Sequence, residues 1–574
     1  MRKTGFYADY GLFDTTARQD SALTTESNIY FGDISKAKDD IVSEDYATLE
    51  EDYFLLDGSM PEMPDTPEDV VYFSDVMSDE NGDFAIAPEF TIAFTENHTS
   101  YGLTFYFVGD HPLEMTVLWF DLYGVRIGQK TYSIDSNKFF AQNQIENYGK
   151  IVVRFTKAKP YRYVKFRYIE YGTVITFGKG GLPVESASLI EECDPISDKI
   201  AINKLSYKVI DENDTFNIGN INGLHKVLQN GQESTAYEYI NDEQVLLGKF
   251  FLSGNETKSN VTSISCVDFK GLLDNNNFRD GAVYDGELAG NVIDAIMSTA
   301  GITDYTVTDE VRNTPLYGWL KIQTCRKALR EVLFACGAVV DSSRSLTLDI
   351  YIPDRKVKHI VKRSRKFSTT VSQQDYVSDV AVKYPVYTLA ENASQIAKGH
   401  YTAGTYTVDL SSPASEMTID NGLILKQTNN YVTFKVDTEV DVVITGKKYN
   451  KEDLTITASV PKVSAGNIRN TKSFTCTVLN GTQAAVIAEN ILNYYDLQLK
   501  LKVKILNDGD KPVDWSEVEN TVKSYGNYVA GFEKLTTDLT GGFITTAELR
   551  GYYKLISDYY YTGEIFAGED FGGI

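Results

Sequence analysis

The pattern that most constrains this chain is period-two alternation, broken at regular intervals by polar turns. "FTIAFTE" (90–96), "YGLTFYFVG" (101–109), "EMTVLWFDLYG" (114–124), "KIVVRFTKA" (150–158) and "RYVKFRYIEYG" (162–172) are all short alternating or apolar runs. Successive side chains of a strand point to opposite faces, so such runs place one face on a core. Their regular spacing predicts a β-sandwich over 46–178. The composition agrees: 38 Tyr and 29 Phe against 3 Trp, with many Thr, Val and Ile, favour strands. At 574 residues and 42% hydrophobic, the chain can build several cores, about three to five domains at roughly 150 residues each.

Other segments read differently. Residues 1–45 lack sustained periodicity and mix polar residues with isolated aromatics such as Phe6, Tyr10 and Phe31. They read either as a docking arm or as a terminal segment packed on its own chain. "FGKGGLPVE" (177–185) marks a boundary. Beyond it, 179–378 combines strands ("IAINKLSYKVID", "VTSISCVDFKGLLD") with two helices. The first helix places Leu288, Val292, Ile296 and Ala300 on one face, before Gly301. The second starts at Thr324 as N-cap, buries Ala328, Leu329, Val332 and Cys336, and stops at Gly337. Strand-rich sequence at 379–478 reads as an inserted β domain. A third helix begins at Thr482, and 479–574 forms a further β domain with an aromatic, Gly-rich tail. The expected class is mainly β with a few helices (α+β), in several domains.

Composition also excludes. The formal charge is -25 and the pI about 4.7, whereas nucleic-acid binding needs clustered Lys and Arg. The main basic run, "DRKVKHIVKRSRKF" (354–367), reads as a solvated or interface strand, with a phosphate or acidic-partner site as the alternative. Cys193, Cys266, Cys325, Cys336 and Cys476 form no CxxC pair, which suggests neither a zinc site nor a disulfide framework and fits a reducing cytoplasm. The N-terminus lacks the apolar region of a signal peptide, and no apolar run is long enough to span a membrane. The five His show neither HxH nor HxxxH spacing, and no GxSxG, HExxH or Walker A motif occurs. No catalytic residue and no cofactor is expected.

Three features are candidate sites. Asp79, Asn81 and Asp83 in "SDENGDF" offer oxygen ligands at alternating positions, as in a calcium loop. Phe90 stands where an EF-hand needs Glu, and a plain Asn-Gly turn is the better reading. Tyr72, Phe73, Trp119, Tyr123 and Tyr148 include candidates for stacking on sugar rings, Trp119 and Tyr123 foremost, although aromatics at strand spacing are usually core. Gly541-Gly542 in "FEKLTTDLTGGFITTAELRGYYK" invites comparison with a phosphate loop. Such a loop needs a helix after it. Alternating sequence on both sides predicts a hairpin turn in place of one.

Several stretches, in order, resemble the tail-tip hub proteins of phages and prophages of Gram-positive bacteria, the tail-associated family that includes tail-like bacteriocins. They are "TTARQD", "YATLEEDYFLLDGS" (46–59), "VVYFSDVMSDENGDF" with a discoidin-like sandwich, "LIEECDPISDKIAINKLSYKV" (189–209), "TCRKALREVLFACGA" and "EKLTTDLTGGFITTAELRGY". The resemblance implies a virion structural protein assembled in the host cytoplasm. It implies a homotrimer of β-barrel hub domains closing the tail tube, with a distal-tail or baseplate ring, a tape-measure protein and receptor-binding appendages as partners. A cell-wall glycan is a further expected ligand. Many relatives carry a C-terminal peptidoglycan hydrolase; this sequence ends at "FAGEDFGGI" with no room for one. A channel lined by so acidic a chain would tend to repel DNA.

Overall fold

The computed structural model describes residues 3–27, 33–38, 50, 70–212, 214, 216, 217, 219, 220, 230–241, 243–460, 469–522 and 526–554. The stretch at 46–59 (apart from Glu50), Tyr30, Phe31, His225 and the aromatic tail lie outside the described residues. The chain is mainly β and forms two compact units: Asp9–Thr176 with Leu224–Glu233, and Met1–Ala8 with Phe177–Gly223 and Ser234–Ile574.

The unit containing Asp9–Thr176 is built on one seven-stranded sheet. Its order is Tyr72–Phe73, Lys165–Glu170, Glu89–Phe107, Lys138–Lys157, Glu114–Phe120 and Arg126–Ser133, with Ala22–Thr24 added beside Glu89–Phe107. Two runs that read as separate strands, 90–96 and 101–109, are largely one long strand. It shifts register three times between Ala93 and Gly102. Such irregularities let a strand bend and change partners along its length. Gly102 makes the bend: its φ is +149°, and a Cβ there would lie 2.4 Å from the Ala141 carbonyl oxygen. Phe90, Ile92, Phe105, Val117, Phe155 and Phe166 form the centre of the core. Part of the N-terminal segment packs on this same core. Helix Thr15–Asp20 is capped by Asp14, whose Oδ1 accepts from Ala17 N at 2.9 Å, and Ala17 and Leu23 are buried.

In the second unit a long sheet runs Lys366–Gln373, Leu499–Leu506, Ile544–Lys554, Asn527–Asp538, Val184–Glu192, Lys204–Ile210, Val261–Val267 and Glu243–Lys258. Neighbours far apart in sequence are thus adjacent in space. Helices Ala289–Ala300, Cys325–Cys336 and Gly481–Tyr495 share a separate apolar core. Thr324 caps the second through Lys327 N, and Gly301 and Gly337 end the first two in the left-handed conformation. Two details differ from the sequence reading. Leu288 is the N-cap and 41% exposed, so Ile293 and Met297 take buried places beside Val292 and Ile296. The third helix is capped by Asn480, which forms a capping box with Gln483. The strands of 394–459 enclose a small core of their own around Met417, Phe434, Val442 and Ile444.

Candidate functional site

The sequence-derived candidates fall in contrasting surroundings. Asp79 spends Oδ1 on its own turn, accepting from Asn81 N at 2.8 Å and Asp83 N at 2.9 Å. Those amides hold its carboxyl below the usual range. Gly82 sits at φ +82°, where a Cβ would strike the Ala158 carbonyl at 2.1 Å. Asp83 turns to Lys157 at 3.6 Å. The geometry is that of an Asn-Gly turn. Among the described residues no group of three His, Cys, Asp or Glu converges as a metal site would need.

The aromatics separate cleanly. Tyr72, Phe73, Trp119 and Tyr148 are core residues, 2% exposed or less. Trp119 therefore presents no face to a sugar. Tyr123 is 92% exposed, at the tip of a turn in which Asp121 Oδ1 accepts from Tyr123 N and Val125 N. Exposed Leu122 and Val125 flank it.

Gly541 and Gly542 lie in the turn between Asn527–Asp538 and Ile544–Lys554, whose ladder runs from Asp538↔Ile544 to Asn527↔Lys554. Gly542 has φ +81°. Asp538 Oδ1 accepts from Thr540 N and Gly541 N and folds the turn. A strand follows, so no helix N-terminus meets a phosphate here.

The basic run at 354–367 is only partly engaged within the chain: Arg355, Lys356 and Lys362 are exposed, while others are held. Lys358 pairs with Asp514 at 2.6 Å, and His359 lies 2.7 Å from buried Asp510, which Arg365 also contacts. Arg363 binds the Asn520 carbonyl, and Lys366 the Glu519 carbonyl. Burial opposes the charge on Asp510, yet His359 and Arg365 hold its carboxyl below the ordinary range.

Two constellations were not legible in the sequence. The first is a buried charge cluster. Arg344, at φ 59°, lies 3.4 Å from both Glu191 and Glu238, each carboxylate 1% exposed or less. Burial, then nearby Asp341 and Glu238, push Glu191 up to about 7 against the pull of Arg344. The second is a cavity of about 520 Å³ lined by Tyr494, Trp515, Phe532, Glu533 and Arg550 among others. Three of its polar groups meet: Tyr494 donates to Glu533 Oε1 at 2.5 Å, and Arg550 lies 3.3 Å from that oxygen and covers the Tyr494 ring. Burial raises the Tyr494 hydroxyl well above its usual value and pushes the Cys266 and Cys336 thiols up to about 12. These groups are protonated at neutral pH and poor nucleophiles. Both constellations act as clamps between elements.

No protein-family model matches the chain, and no curated protein matches it. Among solved structures it is similar to a tail protein from Neisseria meningitidis MC58, at 12% identity and a TM-score of 0.38, over 64% of this chain and 91% of that one. It is also similar to the 43 kDa tail protein of prophage MuSo2 from Shewanella oneidensis, at 8% identity and a TM-score of 0.34, over 63% and 93%. A third similar structure is prophage tail protein gp18 from Listeria monocytogenes EGD-e, at 10% identity and a TM-score of 0.34, over 65% and 90%.

Proposed function

We propose that this chain is a structural protein of a phage tail or tail-like particle, the hub that closes the distal end of the tail tube. In this reading three copies form a ring, anchor the baseplate or distal-tail ring and the tape-measure protein, carry receptor-binding appendages and open on host contact. One observation carries it. Two stretches that resemble hub sequences, 189–209 and 533–552, fold side by side: Leu189 pairs with Thr537 and Glu191 with Leu535. The resemblance is thus one of a connected piece of structure. The described titratable clusters brace the fold and offer no activated nucleophile, which suits an assembly role. Light scattering of the purified chain should give three copies per particle, and the chain should sediment with purified tails. A monomer that never joins tails would overturn the reading.

A second reading, glycan binding at the tail tip, is favoured by Tyr123 alone, the exposed ring on an apolar turn. Cell-wall sugar binding lost in Tyr123→Ala would support it; undiminished binding would remove that site.

A further inference from the structure

The long sheet of the second unit has one face on the core and one face of different chemistry. On Leu499–Leu506 the buried residues are Leu501, Val503 and Ile505, so Lys500, Lys502 and Lys504 point away from the core. Their cross-strand neighbours are Ser372, Thr370 and Ser368 on one side, and Arg550, Glu548 and Thr546 on the other. On Lys204–Ile210, burial of Leu205, Tyr207 and Val209 leaves Lys204, Ser206 and Lys208 outward. Ser206 stands between Ser188 and Ser265. Between these two lysine rows, Asn527–Asp538 presents Lys534, Thr536 and Asp538 opposite Glu192, Ile190 and Ser188.

The face has a sign. Over these strands six outward lysines stand against three carboxylates, with Arg550 taken up by Glu533 and Glu256 one strand beyond Ser263, in a chain of formal charge -25. Lys500 pairs with Glu548 at 2.9 Å and Lys534 with Glu192 at 3.4 Å. Lys204, Lys208, Lys502 and Lys504 have no ion-pair partner among the described residues. The face is also hollow. A depression of about 600 Å³ is lined by Lys208, Lys504, a series of Ser and Thr hydroxyls and one carboxylate, Asp538, which is turned to the amides of its own turn. The two lysine strands are four strand steps apart in the sheet order, about 19 Å at the usual strand spacing.

The chemistry selects the partner. A protein interface is anchored by aromatic and aliphatic side chains in a desolvated centre. Unstacked bases need aromatic platforms. The one aromatic residue lining this hollow, Tyr207, is 1% exposed. Lysines interspersed with hydroxyls are ligands for phosphate oxygens and carry no sequence information. We infer that this face contacts the phosphate backbone of duplex DNA, weakly and without regard to sequence. The inference stands on the face alone and does not depend on the hub reading.

The test titrates the full chain into a labelled random-sequence duplex and reads fluorescence anisotropy. Binding should be weak, with Kd of about 10⁻⁴ to 10⁻⁶ M, and should fall steeply between about 50 and 200 mM salt. Four free lysines give a log–log salt slope of roughly -3 to -4. The triple variant Lys208→Gln, Lys502→Gln, Lys504→Gln should make that slope shallower by roughly 2 to 3. The corresponding triple Glu variant should abolish binding, with an unchanged thermal melt showing that it folds. No binding at about 50 mM salt, or equal binding by the triple Glu variant, would overturn the inference. So would displacement of the duplex by polyglutamate at equal charge, which would assign the face to an acidic protein.

Discussion

Leu189 and Thr537 stand directly opposite each other on adjacent antiparallel strands, although nearly all of the second unit lies between them in sequence. Helices, the strands of 394–459 and most of the long sheet are therefore enclosed by one pairing. Closing a loop over such a separation carries an entropic cost that the contacts of the whole sheet must offset.

The turn that feeds this pairing is sensitive to its glycines in two ways. Gly542 needs only its positive φ, and a Cβ there meets nothing within 4 Å. Gly542→Ala should cost roughly 1–2 kcal/mol from the left-handed backbone. At Gly541 a Cβ would lie 2.4 Å from Asp538 Oδ2. Gly541→Val should displace that carboxylate from the turn amides, at a cost of about 1–2 kcal/mol. Urea unfolding of both variants measures the difference.

Stability should depend on pH through Glu191. Its carboxyl is raised from an ordinary 4.5 to about 7, so the folded state holds the proton longer than the unfolded state. Its contribution is complete below the unfolded value and is lost as pH rises through the folded one, by roughly 3 kcal/mol across that window. Glu191→Gln should flatten the urea midpoint against pH between about 4.5 and 7. A variant that keeps the parent slope would assign the proton to another group.

Trp119 and Tyr123 should part company under mutation. Trp119 is 1% exposed, and Trp119→Ala should destabilise its unit by about 3–5 kcal/mol. Tyr123→Ala should stay within about 0.5 kcal/mol of the parent. Thermal melts of the two variants decide this, and only Tyr123→Ala then serves as a clean probe of sugar binding.

The helical core should report ordinary packing and capping energies. Leu329 is fully buried, so Leu329→Ala should cost about 2–5 kcal/mol. Asn480→Ala breaks the capping box with Gln483 and should cost about 0.5–2 kcal/mol. Chemical denaturation followed by far-UV circular dichroism distinguishes the two.

By itself the sequence determined the strand-rich class, the caps at Thr324, Gly301 and Gly337, and the hairpin at Gly541-Gly542. Each depends on residues a few positions apart, where periodicity and backbone preference act directly. It could not determine which aromatics face water. Trp119 and Tyr123 share one strand-and-turn pattern, and only the packing of neighbouring strands buries the first and leaves the second exposed. Nor could it show that Arg344 would meet Glu191 and Glu238, or that Lys504 and Lys208 would share one face. The tertiary structure decided these, because cross-strand register joins residues that have no local signal of each other, and an overall charge conceals a local field of opposite sign.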